Sequence, residues 1–392
     1  MSTMVSALAF FPWIALDEAL SIGEVRLLPY RLDSRKETLE LVARADVNAI
    51  FKAYRNRPTE RVRQGMIVEV GDWKSGMEMT DVTAARLGQV RDILAFSALS
   101  NRKLFRGHGN YVNADAFALI IQNFLPGQAH YFAYGTRRRD GGTSNTWTNG
   151  EFSFQRPLHV ATGVRPDVDI LLAEALLKLP IDDPVLEAIK EFNAANTDSN
   201  GIAAHVELVM VKSALEWLLG IDEKRSSLAK ALLNLFPNAD AATTKGPLKA
   251  SWMQKNPTDG RLLAAWVGDF CNVRNSAAHG NGQRGGGHLI WSHHQHLAFA
   301  SILFPLVVKK VLANRGVLTP TARDKDEFSH VEDYLAFEPF GPEVRANQAP
   351  WVEVDSRIRS LNLDRALQQA ILESLDKSTL ESEAEPGAPA KG

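Results

Sequence analysis

The spacing of apolar residues changes near residue 160, from short runs to long stretches with helical periodicity. Before that point, the runs 22–30 and 65–72 have the length and apolar content of β-strands. The further elements predicted there are a helix at 81–105 and strands at 117–124, 130–135 and 151–160. The first part of the chain is therefore expected to mix strands with helix.

One polar segment interrupts this first part. Residues 136–150 are rich in glycine, asparagine, serine and threonine, which predicts a hairpin loop. The segment contains the densest group of positive charges in this part of the chain, Arg137-Arg138-Arg139. We interpret this triplet as a solvated loop tip.

After residue 160 the pattern predicts helices at 168–179, 185–193, 202–219, 226–236 and 290–312. The helix 202–219 is apolar nearly all round, and Gly220 can end it in a left-handed cap. Its polar residues His205, Lys212 and Glu216 share one narrow stripe, because they are spaced by seven and four positions. This pattern is typical of a central helix with one face open to something polar.

Another helix is predicted to start after Thr258 or Asp259 and to end before Gly280. It carries apolar residues at steps of three and four, which form a buried seam: Leu263, Trp266, Phe270, Val273 and Ala277. The whole pattern predicts an α+β protein in three parts. These are a mixed domain at 1–160, with an unknown role such as sensing, a helical domain at 161–320, and an extension at 321–392 with a disordered tail.

Composition limits the function classes. The 392 residues carry a net charge of −2, so any contact with nucleic acid must come from a local patch. Cys271 is the only cysteine, which excludes an internal disulfide framework and a cysteine-rich zinc site. The apolar start of the chain lacks a basic region, and the run 297–308 is too short to span a bilayer. We expect a soluble cytoplasmic protein without membrane contact.

The strongest candidate for chemistry is Arg274-Asn275-Ser276-Ala277-Ala278-His279, at the end of the seam helix. Asn275 and His279 lie four positions apart and share a face, and the arginine side chain can reach round the helix end. A histidine at a helix C-terminus can take or give a proton near neutral pH. Arginine can neutralise a phosphorane, and asparagine can orient the phosphate or the histidine, so the trio suits RNA cleavage without metal or cofactor.

This motif resembles the R-x(4–6)-H motif of HEPN domains, which are small helical bundles. The segment AHVELVMVKSALEWLLGI resembles the "ALExLL" helix of the ApeA-like HEPN group, with Glu216 as the acidic residue in a supporting role. The resemblance covers about 185–315. It implies a metal-independent ribonuclease acting on RNA such as tRNA or mRNA, in anti-phage defence or as a toxin. It also implies a homodimer that shares its active site, with Arg274, Asn275 and His279 as catalytic residues.

A second cluster follows in the glycine-rich loop and the next helix: His288, His293, His294 and His296. No acidic residue lies among these histidines, and we favour a polar helix start that packs against the motif helix over a metal site. Arg284, in the same loop, is a candidate RNA contact. Two alternatives to the ribonuclease remain open: a catalytically inactive HEPN binding or sensor module, and a histidine-based metallohydrolase.

Overall fold

The structure is a computed structural model that describes residues 5–34, 39–101, 113–130, 132–137, 140, 143–148, 153–161, 163–237, 261–278, 291–329, 331–332, 335, 367, 370 and 371. The described residues form nine α-helices and two sheets, so the protein is of the mixed α+β class, as predicted. The predicted tail and most of the extension after 335 lie outside the described residues.

The larger sheet has seven strands in the order β2-β3-β6-β1-β7-β8-β9, and neighbouring strands pair antiparallel. The smaller sheet has the order β10-β4-β5. The strands are β1 (Ser6–Phe11), β2 (Leu20–Ile22), β3 (Val25–Arg31), β4 (Tyr54–Arg57), β5 (Glu60–Arg61), β6 (Gln64–Val70), β7 (Ile120–Phe124), β8 (Phe132–Arg137), β9 (Thr143–Thr148) and β10 (Phe154–Gln155).

Two predicted features of this region were wrong in detail. The run 22–30 is not one strand, because Gly23 adopts a positive φ of 55° and turns the chain between β2 and β3. The segment 136–150 is not mainly loop, since Thr143–Thr148 forms β9 and pairs with β8. Strand β1 has no alternating pattern, because it lies inside the sheet with all of its residues buried.

The helices are α1 (Arg44–Phe51), α2 (Asp81–Ser100), α3 (Ile170–Leu177), α4 (Pro184–Ala195), α5 (Ala204–Leu219), α6 (Arg225–Leu235), α7 (Leu262–Ala278), α8 (His293–Asn314) and α9 (Ala322–Ser329). A short 3-10 turn at Ala114–Ala116 precedes β7. The helices predicted between 168 and 312 are confirmed within a few residues. Gly220 ends α5 with a φ of 60°, as its position predicted.

Helix α2 joins the sheet to the helical half. It contacts β6 of the sheet and also α3, α4 and α8. Phe96 lies edge-on to Phe192 of α4 and Phe304 of α8, with ring centroids 5.8 Å and 5.9 Å away. The buried apolar residues of both halves consequently form one continuous core.

Helix α8 lies in the middle of the helical half. It begins with a capping box in which Ser292 and Gln295 satisfy each other's backbone N–H groups. Among the described helices, α8 alone is long and apolar enough to cross a membrane by length and composition, and 78% of its most apolar stretch is buried in the protein. The apolar run 297–308 lies in this helix, and all of its residues except Leu297 are buried.

Candidate functional site

Helix α7 carries the predicted catalytic motif and packs its apolar seam into the core. Leu263, Trp266 and Phe270 are fully buried, and Val273 is 2% exposed. The seam prediction is confirmed for these four residues. Arg274 follows directly and is half-buried, so the seam helix places this arginine at the edge of the core.

Helix α7 runs antiparallel to α8. Trp266 packs edge-on to Phe299, whereas Phe270, one turn later, faces His296, one turn earlier in α8. The C-terminal end of α7 therefore lies beside the N-terminal end of α8. Helix α5 packs against both helices. The motif is thus at one end of a three-helix arrangement.

Of the predicted site residues, the structure describes Arg274 and Glu216 completely. The backbone of Asn275 is helical. His279 and Arg284 lie outside the described residues, as does His288 of the histidine cluster. Their assignments therefore remain predictions.

Glu216 has a structural partner on its own helix. The ammonium group of Lys212, which is 1% exposed, forms an ion pair with the Glu216 carboxylate. It also donates a hydrogen bond of 3.0 Å to the carbonyl oxygen of Glu223, after the end of α5. This pairing satisfies a buried cation and fixes the connection from α5 to α6.

Two residues of the predicted polar stripe of α5, Lys212 and Glu216, lie near Cys271 of α7. Burial raises the pKa of the Cys271 thiol, and the charges acting on it come from four side chains: Lys212, Arg225, Glu216 and Arg274. A buried thiol with a raised pKa is a poor nucleophile, so Cys271 is a core residue rather than a catalytic one. The same charges show that three cations and one carboxylate gather where α5, α6 and α7 meet.

Arg225 is a member of this group that the sequence pattern did not reveal. It is the first residue of α6, and its guanidinium lies against the backbone of α7 at Gly268. A Cβ built on Gly268 would approach Nη2 of Arg225 to 2.6 Å. A helical glycine is the only sequence signal for this contact, and it does not identify its partner.

The histidine cluster divides into two environments. His293 and His294 are exposed at the start of α8. Burial lowers the pKa of His293, and the charges of nearby histidines lower it further (His296, His205 and His294). His205 of α5 thus faces the same end of the bundle. Within the described residues, no group of three or more His, Cys, Asp or Glu side chains is arranged to hold a metal ion.

His296, by contrast, is completely buried. Its ring lies among Trp266, Phe270 and Trp291, with centroid distances of 5.7–6.1 Å. Its Nε2 is 3.3 Å from Oδ2 of Asp269, although the alignment falls short of a good hydrogen bond. His296 is therefore the member of the cluster that packs against the motif helix α7.

Asp269 connects three parts of the site region. It is 3% exposed and accepts a 3.0 Å hydrogen bond from the backbone N–H of Trp291. The same carboxylate also contacts the ring of His296. This carboxylate therefore fixes the chain at the point where the residues after the motif enter α8. The sequence signal for this buried carboxylate was the presence of an acidic residue three positions after Trp266, on the buried side of α7.

Helix α5 exposes an apolar stripe on its outer face. Val206 is 41% exposed and Trp217 is 55% exposed, and the half-buried Met210 lies between them at helical spacing. The prediction of a central helix is thus only partly right, because the polar Lys212 faces inward and part of the apolar surface faces outward. Such a stripe is typical of a surface that packs against another molecule.

An open cavity of about 790 Å³ lies between the C-terminal end of α4 and the N-terminal ends of α5 and α8. Polar groups on its wall include Asp198, Glu207 and His294. Burial raises the pKa of Glu207, and the negative charges of Asp198 and Asp115 raise it further. The cavity is therefore suited to polar or cationic molecules rather than to phosphates.

Comparison with models of known protein families, with curated proteins and with solved structures gave no match.

Proposed function

We propose that this protein is a metal-independent endoribonuclease of the HEPN type that cleaves RNA by attack of the 2′-hydroxyl. The observation that carries the proposal is the position of Arg274, half-buried near the end of α7 where α5 and the start of α8 also lie. The similarity of RNSAAH to the HEPN motif supports it. Defence against phage or a toxin role in the cytoplasm belongs to the same proposal, with tRNA or mRNA as the substrate.

The chemistry assigns one task to each residue. In this mechanism His279 removes the proton of the 2′-hydroxyl, and O2′ attacks the adjacent phosphorus. The bond from phosphorus to O5′ breaks, O5′ takes up a proton from water, and a 2′,3′-cyclic phosphate remains. Arg274 stabilises the negative phosphorane through its planar fork of donors, and Asn275 orients the phosphate or the histidine.

The remaining residues have supporting tasks. The buried pair of Lys212 and Glu216 holds the end of α5 against the start of α6, beside the helix that carries the motif. Arg284 is proposed as an RNA contact. The domain at 1–160 is proposed as a sensor that controls the helical domain.

This mechanism predicts products that differ from those of a metal nuclease. Purified protein should cleave total RNA or tRNA in excess EDTA, leaving 2′,3′-cyclic phosphate or 3′-phosphate ends and free 5′-hydroxyls. Single-stranded DNA should stay intact, because it lacks the 2′-hydroxyl. End-specific labelling of the products measures both properties.

The histidine-based metallohydrolase predicts the reverse. Its activity would be lost on chelation and restored by zinc or manganese, and an attacking water would leave 3′-hydroxyl ends. Such a result, together with cleavage of DNA, would exclude the HEPN mechanism. RNA binding without any cleavage would instead indicate the inactive binding module.

The proposal includes a homodimer in which two motif segments face each other. The exposed stripe of Val206, Met210 and Trp217 supports the association of two copies, since an apolar helix face gains stability when it is covered. The double substitution Val206→Glu and Trp217→Glu should yield monomers and reduce cleavage at least tenfold. Light scattering measures the mass, and cleavage is assayed at the same protein concentration.

The matched control is the double substitution Leu171→Glu and Val82→Glu, which places the same two charges at apolar residues of α3 and α2 that are 53% and 74% exposed. This variant should keep the mass and activity of the wild type. A wild-type protein that is monomeric at micromolar concentration and fully active would refute the shared site.

A further inference from the structure

We propose that Arg225 binds a phosphate of the RNA strand next to the scissile one, on the face of α7 that carries Asn275. The inference rests on the proposed function and extends it to a residue outside the motif. Its basis is the position of the guanidinium on the backbone of α7 at Gly268.

Helical spacing places this guanidinium in line with the motif. Gly268, Asn272 and Asn275 follow one another at steps of four and three, so they share a face of α7. Seven residues of helix correspond to about 10 Å along the axis. Asn272 is exposed between the two ends. A strand that presents its phosphate to Asn275 can therefore pass over Asn272 to Arg225.

Gly268 is what allows the guanidinium to lie there. A Cβ at this position would come within 2.6 Å of Nη2 and 2.9 Å of Cζ of Arg225. Any larger residue would thus displace the guanidinium from the helix surface. The cation is held close to α7 by shape rather than by a carboxylate.

The charge of Arg225 is available for a ligand. Across the described parts of the chain, the side chain of Arg225 makes no hydrogen bond or ion pair, and the residue is exposed. Lys212, in contrast, is neutralised by Glu216. A planar guanidinium with its donors unused suits a phosphate, to which it can donate two parallel hydrogen bonds.

The test measures binding separately from cleavage. A single-stranded RNA oligonucleotide with 2′-O-methyl groups at every position lacks the nucleophile, so its dissociation constant is measured without cleavage. Arg225→Gln should weaken binding about tenfold at physiological salt. The slope of log K against log salt should fall by about 0.7, the value for one phosphate contact to a single strand.

Two further variants define the contact. Lys230→Gln removes the same charge from an exposed position of α6 and should leave affinity and slope unchanged. Gly268→Ala keeps the charge of Arg225, but the added methyl group occupies the position of the guanidinium. This variant should weaken binding at least threefold. Circular dichroism and thermal unfolding confirm that each variant is folded.

Unchanged affinity and slope in Arg225→Gln would overturn the proposal, as would an equal loss in Lys230→Gln. Unchanged binding in Gly268→Ala would overturn the role of the glycine. The outcomes are distinguishable from those that concern the enzyme. If Arg225 contributes to binding but no RNA is cleaved, the phosphate site belongs to a binding module. If RNA is cleaved but binding does not depend on Arg225, the protein is a ribonuclease without this phosphate site.

Discussion

Replacing His279 by alanine is expected to lower the rate of RNA cleavage by two to four orders of magnitude, because general acid–base catalysis contributes about that much. Arg274→Ala should lower it by about two to three orders, since a phosphorane would lose its charge partner. Arg274→Lys keeps the charge but not the fork of donors, and should fall between the alanine variant and the wild type. Rates are measured on one RNA substrate under single-turnover conditions.

The controls are matched by residue type. His130→Ala and Arg61→Ala remove an exposed histidine and an exposed arginine from the sheet region, far from α7 in the sequence. Both should retain full activity. Full activity in His279→Ala or Arg274→Ala would refute the assignment, provided that the variant unfolds at the same temperature as the wild type.

A different experiment addresses the buried pair of Asp269 and His296. Asp269→Ala should destabilise the fold by about 3 kcal/mol, because it removes the acceptor of the Trp291 N–H and leaves His296 buried without its carboxylate. Urea unfolding monitored by tryptophan fluorescence measures the loss. The control is Asp72→Ala, which removes an exposed carboxylate. Asp324→Ala would not serve as a control, because Asp324 forms an ion pair with Lys309.

The same pair predicts a dependence of stability on pH. Burial lowers the pKa of His296 below its value in the unfolded chain, although Asp269 acts in the opposite direction. Between the two pKa values the unfolded state binds more protons, so stability should fall as the pH drops below about 6.5. His296→Gln, which keeps a donor but does not titrate, should have a flatter profile.

His293→Gln is the comparison for this profile, because partial burial also lowers the pKa of His293, although this residue is far more exposed than His296. Its effect on the pH dependence should be smaller. If the profile of His296→Gln matches that of the wild type, protonation of His296 does not limit stability at low pH.

The sequence alone determined the features that depend on local order. The helices of the second half were predictable because apolar residues recur at steps of three and four, and Gly220 marked the end of α5. The inward face of α7 was predictable for the same reason. Arg274 directly follows that seam, which is why its place at the edge of the core could be predicted.

Tertiary structure decided the features that join distant segments. Strand β1 has no alternation to detect, because both of its faces are covered. The sequence does not identify His296 as the partner of Asp269 or Arg225 as the partner of Gly268, since each contact depends on how two helices pack. Periodicity specifies which face of a helix is buried, but the partner that covers this face is set by the packing of the whole core.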